Sequence, residues 1–238
     1  MKNLRKLSEH LYVYDFEKET DRPNLYYIKG RDYSVAVDAG NSRKHLESFY
    51  AAVEDAGFDM PRYTVISHWH WDHTFGLCAL KGTSISSKLT HKYLAKVMRW
   101  KWVLPLMLER LKTGEEIAFC HDNIIREYPD LSEIRVVNTM ETIDSQKTLD
   151  LGDIEVQLIP RPSTHSLDST FVYLPSERSL IVEDADCEDF YHGGVYDQKR
   201  LKEMIEFFEA LDYDWHYLGH ADRESKAQAL ERLKAEKK

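Results

Sequence analysis

The sequence has few cysteines and no long apolar segment. Its 238 residues include three cysteines, Cys78, Cys120 and Cys187, and none of them forms a C-x-x-C pair. An odd, widely spaced set argues against a disulfide framework and is typical of a reducing compartment. No stretch approaches about 18 consecutive apolar residues, and no signal-peptide segment follows the N-terminus. We therefore expect a cytoplasmic protein without a transmembrane helix.

Basic residues are in the minority. The chain carries 41 acidic and 32 basic side chains, which gives a formal net charge of -9 at pH 7. Proteins that bind nucleic-acid phosphates usually present a basic surface, so we expect no nucleic-acid partner, and we expect no membrane partner. Hydrophobic residues make up 42% of the chain, which is enough for a substantial core. We expect a single domain over residues 1–238.

Strand patterns followed by helical patterns occur twice along the chain. Short β-branched and aromatic segments bounded by turn residues predict strands, as in Tyr33–Asp38 and Thr170–Leu174. Apolar residues at helical spacing predict an amphipathic helix over Asp197–Leu211. Between about residues 87 and 132 the pattern is helical, and strand signals resume at Ile134–Val137. This order predicts an α/β sandwich, with helices outside a pair of sheets and with a helical insertion.

A histidine cluster follows the predicted strand Tyr63–Ile66. The next residues read S-H-W-H-W-D-H, which contains the pattern H-x-H-x-D-H. Residues two apart on an extended segment point to the same side, so His68 and His70 can face one metal ion. Asp72 and His73 follow at a turn and can reach a neighbouring position. Imidazole nitrogens and carboxylate oxygens are ligands for zinc-like divalent ions.

Three further residues of metal-ligand type lie at the ends of later predicted strands. His165 follows the predicted strand Ile154–Ile159. Asp184 directly follows a later predicted strand that ends at Glu183, and His220 follows the last predicted strand. Each lies just past an apolar segment, where folds normally build their sites. Two metal ions need more ligands than a single ion does. These three residues can supply the additional ligands in one shared crevice.

These residues together resemble the metallo-β-lactamase fold superfamily. The H-x-H-x-D-H signature stands at His68–His73, and the family's later histidine, aspartate and final histidine stand at His165, Asp184 and His220. The family's early strand-end aspartate matches Asp38. The motifs occur in the family's order and cover nearly the whole chain. The resemblance implies a four-layer αββα sandwich.

The resemblance also implies a dinuclear site. Asp38 would orient ligands by hydrogen bonding. The two divalent ions are expected to be zinc, with iron or manganese as alternatives. Carried over position by position, the implied ligands are His68, His70 and His165 for the first ion, Asp72, His73 and His220 for the second, and Asp184 as the bridge between them.

Two positions depart from the family pattern. Glu183 stands before the bridging aspartate, where the family commonly has glycine. The segment Leu218-Gly219-His220-Ala221 lacks the proline and the final glycine that the family often has around its last histidine. Neither departure removes a ligand, but Glu183 changes the backbone requirements or the charge beside the site.

The resemblance implies hydrolysis by a hydroxide that bridges the two ions. Asp72 would orient this nucleophile and pass a proton to the leaving group. Residues 221–238 are too few for the glutathione-binding domain of hydroxyacylglutathione hydrolases, and the acidic charge argues against the RNA-processing members. We therefore expect a small-molecule ester, thioester, lactone or phosphodiester as substrate.

Two other functions remain open on the sequence. One is a di-iron redox protein that reduces oxygen or nitric oxide, and the other is a binding module that keeps its metal ions without turnover. Substrate contacts are expected from Arg99 in the helical insertion and from Tyr191, His192 and Tyr196 after the bridging aspartate. The insertion itself would serve as a lid or as a homodimer contact. Trp69 is expected to point away from the ligands with which it alternates.

Overall fold

A computed structural model describes residues 3–238 as two β-sheets with helices on their outer sides. The first two residues of the expected 1–238 domain lie outside this described part. Among residues 3–238, no helix has both the length and the apolar composition that crossing a membrane requires.

Seven strands form the N-terminal sheet and lie side by side in chain order. The first four strands pair antiparallel, and the fourth to the seventh pair parallel. The strands are β1 (Arg5–Lys6), β2 (Leu11–Tyr14), β3 (Leu25–Lys29), β4 (Ser34–Val37), β5 (Tyr63–Val65), β6 (Thr83–Ser87) and β7 (Glu141–Ile143).

Six strands form the C-terminal sheet. They are β8 (Lys147–Asp150), β9 (Glu155–Pro160), β10 (Thr170–Leu174), β11 (Ser179–Glu183), β12 (Trp215–Leu218) and β13 (Glu224–Ser225). Their order across the sheet is β13-β12-β11-β10-β9-β8. Only β11 and β12 pair parallel, and the other neighbours pair antiparallel.

Within the described residues 3–238, seven α-helices accompany the sheets. Helices α3 to α5 lie between β6 and β7 in the chain, so the predicted helical insertion is present. The helices are α1 (Arg43–Asp55), α2 (Trp71–Thr74), α3 (Lys88–Val97), α4 (Leu104–Thr113), α5 (Ala118–Glu127), α6 (Gln198–Ala210) and α7 (Lys226–Ala235).

The two-residue alternation of each strand creates the layers. In β3, Tyr26 and Ile28 join the buried cluster that is shared with the other sheet, whereas Leu25 and Tyr27 join the cluster that contains residues of α1. Strand β10 divides its side chains in the same way between the inter-sheet core and α6. Both faces of each sheet are thus covered, as the apolar composition of these strands requires. The expected αββα sandwich is confirmed.

The predicted strand Ile134–Val137 is wrong. These residues have no regular secondary structure, and the strand that pairs with β6 begins later, at Glu141. Ile134 and Val136 instead pack against the apolar cluster of the helical insertion. Their β-branched side chains therefore serve the packing of that segment, which strand propensity alone does not distinguish from a sheet.

Parallel pairing brings the ends of four strands to one edge of the sandwich. Strands β4 and β5 run parallel and end next to one another, and so do β11 and β12. Two backbone hydrogen bonds join the two sheets at this edge. They run from Thr170 N to Ser67 O and from Asn24 N to Gly219 O, and each is 2.7 Å long. The loops that follow these strands consequently lie close together.

We expect the Gly76→Ala substitution to destabilise the fold strongly. A Cβ atom at Gly76 would lie 1.9 Å from the carbonyl oxygen of Ala39, which is backbone and cannot move aside. The expected loss is about 3 kcal/mol of unfolding free energy. Gly57→Ala is the control: no atom lies within 4 Å, and only its positive φ of 71° opposes alanine, at about 1 kcal/mol. Urea unfolding of both variants measures the difference, and equal losses would contradict the clash.

Candidate metal centre

Three histidines form the first group of converging ligand atoms. His68 Nε2 and His165 Nε2 each lie 2.9 Å from His70 Nδ1. The first two ligands follow β5, and His165 lies in the loop between β9 and β10. All three side chains are buried. The structure thus brings together the three residues that the sequence analysis assigned to the first ion.

Two carboxylates and two histidines form the second group. His73 Nε2 lies 3.0 Å from Asp72 Oδ2 and 3.1 Å from Asp184 Oδ2. His220 Nε2 lies 3.0 Å from Asp72 Oδ2 and 3.4 Å from Asp184 Oδ2. The ligand atoms of all four residues lie within 4.8 Å of one another. By distance Asp184 belongs to this second group, and its bridging role stays a prediction.

The hydrogen bonds behind the first group leave ring nitrogens available for a cation. His165 Nδ1 donates to the carbonyl oxygen of Glu188 at 2.9 Å. Ser67 Oγ donates to Asp38 and therefore accepts from His68 Nδ1 at 3.0 Å. Both rings then turn an unprotonated Nε2 toward the third histidine. Converging lone pairs repel unless a cation lies between them, so this donor set fits a divalent ion with bonds of about 2.0–2.1 Å.

The two groups differ in their electrostatics. Burial, together with the neighbouring histidines, lowers the pKa of His68 and of His70 well below the usual value. Burial would also lower the pKa of His73 and of His220, but the Asp72 and Asp184 carboxylates outweigh it and raise both values well above normal. His68 and His70 are therefore neutral in the metal-free protein, whereas the second group consists of buried ion pairs.

Asp38 lies behind both groups. It follows β4 and accepts three hydrogen bonds of 2.7 Å, from Ser67 N, Ser67 Oγ and His73 Nδ1. Its backbone has a positive φ of 64°, which aspartate tolerates better than most residues. Asp38 thus has the geometry expected of a residue that orients metal ligands.

Glu183 is the unusual residue of the centre. It has a positive φ of 52°, and neither of its buried carboxylate oxygens has a hydrogen-bond partner. Its Oε2 lies 4.0 Å from His73 Nδ1. Gly219 makes room for this arrangement, because a Cβ there would meet Asp184 Oδ1 at 2.2 Å and Glu183 Oε2 at 3.0 Å. The departure from glycine therefore adds backbone strain and a buried carboxyl group at this point, and burial together with the Asp38 charge raises the pKa of Glu183 well above its usual value.

Sequence reasoning missed two further carboxylates. Asp21 Oδ1 lies 3.6 Å from His220 Nδ1, and burial together with the Asp72 charge raises the pKa of Asp21 to about 7. Asp168 accepts from Thr90 and Ser166, and burial raises its pKa to about 6. Asp168 stands three residues after His165, a closeness that could have drawn attention to it. Nothing local in the sequence indicates Asp21.

A cavity of about 530 Å³ opens beside the first group, and His70 and His165 form part of its lining. Trp69 lies in the same lining, so the expectation that it points away is wrong. Strand alternation does not hold here, because the chain leaves the extended conformation and enters α2 at Trp71. Trp71 itself is buried against Phe75.

Two of the four expected substrate contacts line the cavity, and the other two do not. Tyr191 and His192 line the cavity, and the Tyr191 ring lies 5.1 Å from the His70 ring. Tyr196 packs against the core between β10 and α6 and is not in the lining. Arg99 is exposed and also lies outside the lining. In place of Arg99, helix α3 contributes Tyr93, Lys96 and Val97, and Trp100 follows just after the helix.

Comparison with known proteins agrees with this geometry. Residues 20–220 match the model of the Metallo-beta-lactamase superfamily. The fold is similar to that of a metallo-beta-lactamase from Pontibacter korlensis, with 13% identity, a TM-score of 0.68 and coverage of 98% of this chain and 97% of that chain. It is also similar to a metallo-beta-lactamase family protein from Thermus thermophilus, with 15% identity, a TM-score of 0.67 and coverage of 97% of this chain and 80% of that chain.

A third similar structure is the sec-alkylsulfatase Pisa1 from Pseudomonas sp., with 13% identity and a TM-score of 0.65. That likeness covers 99% of this chain and 41% of the sulfatase. At these identities the structural likeness shows the fold alone. No curated protein matches the sequence.

We expect the second metal ion to bind with a steeper pH dependence than the first. The raised pKa values of His73 and His220 mean that both rings carry protons that a metal ion must displace, whereas His68 and His70 are already neutral. The affinity for the second ion should rise by about tenfold or more per pH unit between neutral and mildly alkaline pH. Zinc titrations against a competing chelator measure both steps, and equal slopes would contradict this assignment.

We expect Glu183→Gly to stabilise the metal-free protein. The substitution removes a buried carboxyl group that has no hydrogen-bond partner, worth about 1–3 kcal/mol, and it relieves a strained backbone, worth about 1–2 kcal/mol. Glu183→Ala also removes the carboxyl group but keeps the backbone strain, so it is the matched comparison. Thermal unfolding should rank the glycine variant above the alanine variant and both above the parent protein. A loss of stability in both variants would show that packing of the Glu183 side chain outweighs its cost.

Proposed function

The chain belongs to the metallo-beta-lactamase superfamily, and on this premise we propose that it is a dinuclear metal-dependent hydrolase of small molecules. The observation that carries the proposal is the pair of converging ligand groups, one of three histidines and one of two histidines and two aspartates. Both groups lie where the strand ends of the two sheets meet, next to a cavity of small-molecule size.

Each of the two ligand groups would hold one ion. His68, His70 and His165 would hold the first ion, and the four residues of the second group would hold the second. All ligand atoms are nitrogen or oxygen, a set that suits zinc and also accepts iron or manganese. When bound, two such ions polarise the bond to be cleaved and lower the pKa of water toward neutrality.

Asp72 is the residue placed to handle protons. Burial would raise its pKa, but the neighbouring His73 and His220 outweigh burial and lower it well below the usual range, so the carboxylate is ionised at neutral pH. Both histidines hold Asp72 Oδ2 at 3.0 Å and fix its direction. An oriented anion can accept a hydrogen bond from a nucleophile and align it with the substrate.

The residues around the ligands define the substrate space. The rings of Trp69 and Tyr191 lie 4.8 Å and 5.1 Å from the His70 ring, and all three residues line the cavity. Small-molecule esters, thioesters, lactones and phosphodiesters all fit a cavity of this volume. Because the sulfatase of the same fold is named for cleaving alkyl sulfates, we add sulfate esters to the substrates to be tested.

Purified protein should contain about two transition-metal ions per chain and should hydrolyse at least one ester class. His70→Ala and Asp72→Asn should each lower kcat/KM by at least about a hundredfold, since each removes a ligand or the proton acceptor. His10→Ala is the control, because His10 pairs with Glu177 away from the centre. Metal analysis and a chromogenic panel measure these outcomes. Absence of bound metal, with no activity after zinc, iron or manganese is added, would refute the proposal.

A further inference from the structure

The cavity beside the first ligand group has an aromatic wall that begins at a metal ligand. The Trp69 ring lies 4.8 Å from the His70 ring, 5.5 Å from the Tyr191 ring and 5.7 Å from the Tyr93 ring. Trp100 contributes a fourth aromatic side chain to the same lining. A flat apolar group placed on this wall would gain contact with several ring faces or edges.

Tyr191 presents its ring to the cavity because its hydroxyl is held elsewhere. The hydroxyl donates a 2.9 Å hydrogen bond to Glu116, a buried residue in the turn before α5. Burial raises the pKa of Glu116, while the hydrogen bonds that it accepts partly offset this effect. The bond fixes the position of the ring, so Tyr191 acts as part of the wall.

The lysine of the cavity already has an acidic partner. Lys96 Nζ lies 2.8 Å from Glu115 Oε1, and both residues belong to the lining. The pair joins α3 to the turn after α4. An anionic substrate that approached Lys96 would therefore also approach the Glu115 carboxylate.

Arg200, the arginine of the cavity, also lies near carboxylates. Arg200 Nη2 lies 3.7 Å from Asp189 and 3.7 Å from Asp197, and Arg200 Nη1 donates to the carbonyl of Ser163 at 3.2 Å. Asp189 also accepts from His192 at 2.8 Å. Within residues 3–238, each lysine and arginine of this lining thus faces a carboxylate.

We propose that the group of the substrate that occupies this cavity is an uncharged aromatic ring, and that the protein therefore prefers neutral aryl esters. The inference rests on the proposed hydrolase function and narrows it. The metal ligands do not distinguish one ester from another, so selection falls to the cavity. A charged group would find the lysine and the arginine of the lining already paired with carboxylates, whereas an uncharged ring stacks on the aromatic wall and needs no such partner.

The first test compares two substrates of similar size whose para substituents differ in charge. The metal-loaded protein is assayed with para-acetoxybenzamide, which is neutral, and with para-acetoxybenzoate, which is anionic. The expected result is a kcat/KM at least about fivefold higher for the benzamide, and any smaller preference overturns the proposal. Calorimetric binding of benzamide and of benzoate to the same protein gives a second readout that does not depend on turnover, and tighter binding of benzoate would also overturn it.

The second test changes the cavity itself. Glu115→Gln leaves Lys96 without its partner, so the ratio of kcat/KM for the benzoate substrate to kcat/KM for the benzamide substrate should rise by about two- to fivefold. Trp100→Leu should raise KM for the benzamide substrate by about tenfold with little change in kcat. Trp215→Leu is the matched control, because Trp215 is a partly exposed tryptophan that stacks with Arg223 outside this cavity.

Failure of the inference and failure of the proposed function give different results. If anionic aryl esters, phosphodiesters or sulfate esters are hydrolysed better than neutral aryl esters, the hydrolase function stands and the substrate inference falls. If nothing is hydrolysed by the metal-loaded protein, the function falls, and the calorimetric comparison of benzamide with benzoate still decides whether the cavity selects an uncharged ring.

Discussion

The hydrogen bonds accepted by Asp38 set the direction of ligands in both groups. One carboxylate oxygen accepts from His73 of the second group and also from the Ser67 hydroxyl, which in turn accepts from His68 of the first group. A single side chain at the end of β4 thereby fixes one ring in each group. Since the other oxygen accepts from the Ser67 backbone, the carboxylate itself has little freedom. The rest of the centre can converge only because these rings are held in place.

The backbone strain of the molecule is concentrated near this centre. Within residues 3–238, four residues other than glycine have a positive φ, and three of them, Asp21, Asp38 and Glu183, lie beside the ligands. The fourth, Arg178, is in a turn between β10 and β11. Strained conformations persist where the surrounding structure determines them strongly, and they are common at functional sites. Here the strain accompanies carboxylates that are brought close to His73 and His220.

Sequence patterns predicted the parts of this structure that depend on neighbouring residues. Strand alternation and the amphipathic helix over Asp197–Leu211 are local features, and they predicted the layers. The spacing in His68–His73 is also local, but the grouping of these residues with His165, Asp184 and His220 followed from the resemblance to the metallo-β-lactamase fold superfamily. The orientation of Trp69 was not predictable from alternation because the chain turns into a helix there. Asp21 was not predictable either, because its approach to His220 joins residues that are far apart in the chain. The strand expected at Ile134–Val137 failed because its apolar residues pack on helices instead.

Part of the cavity lining comes from a segment of the chain that holds none of the candidate metal ligands. The ligands follow strands of the two sheets, whose pairing and shared core fix the strand ends. Two of the four aromatic side chains of the wall, Tyr93 and Trp100, and the Lys96–Glu115 pair come from the helical insertion, and Tyr191 is held to that insertion through Glu116. The cavity can therefore change its shape and charge through helices α3 to α5 without moving a ligand. This separation explains how an intact ligand set can be combined with a cavity that has its own selectivity.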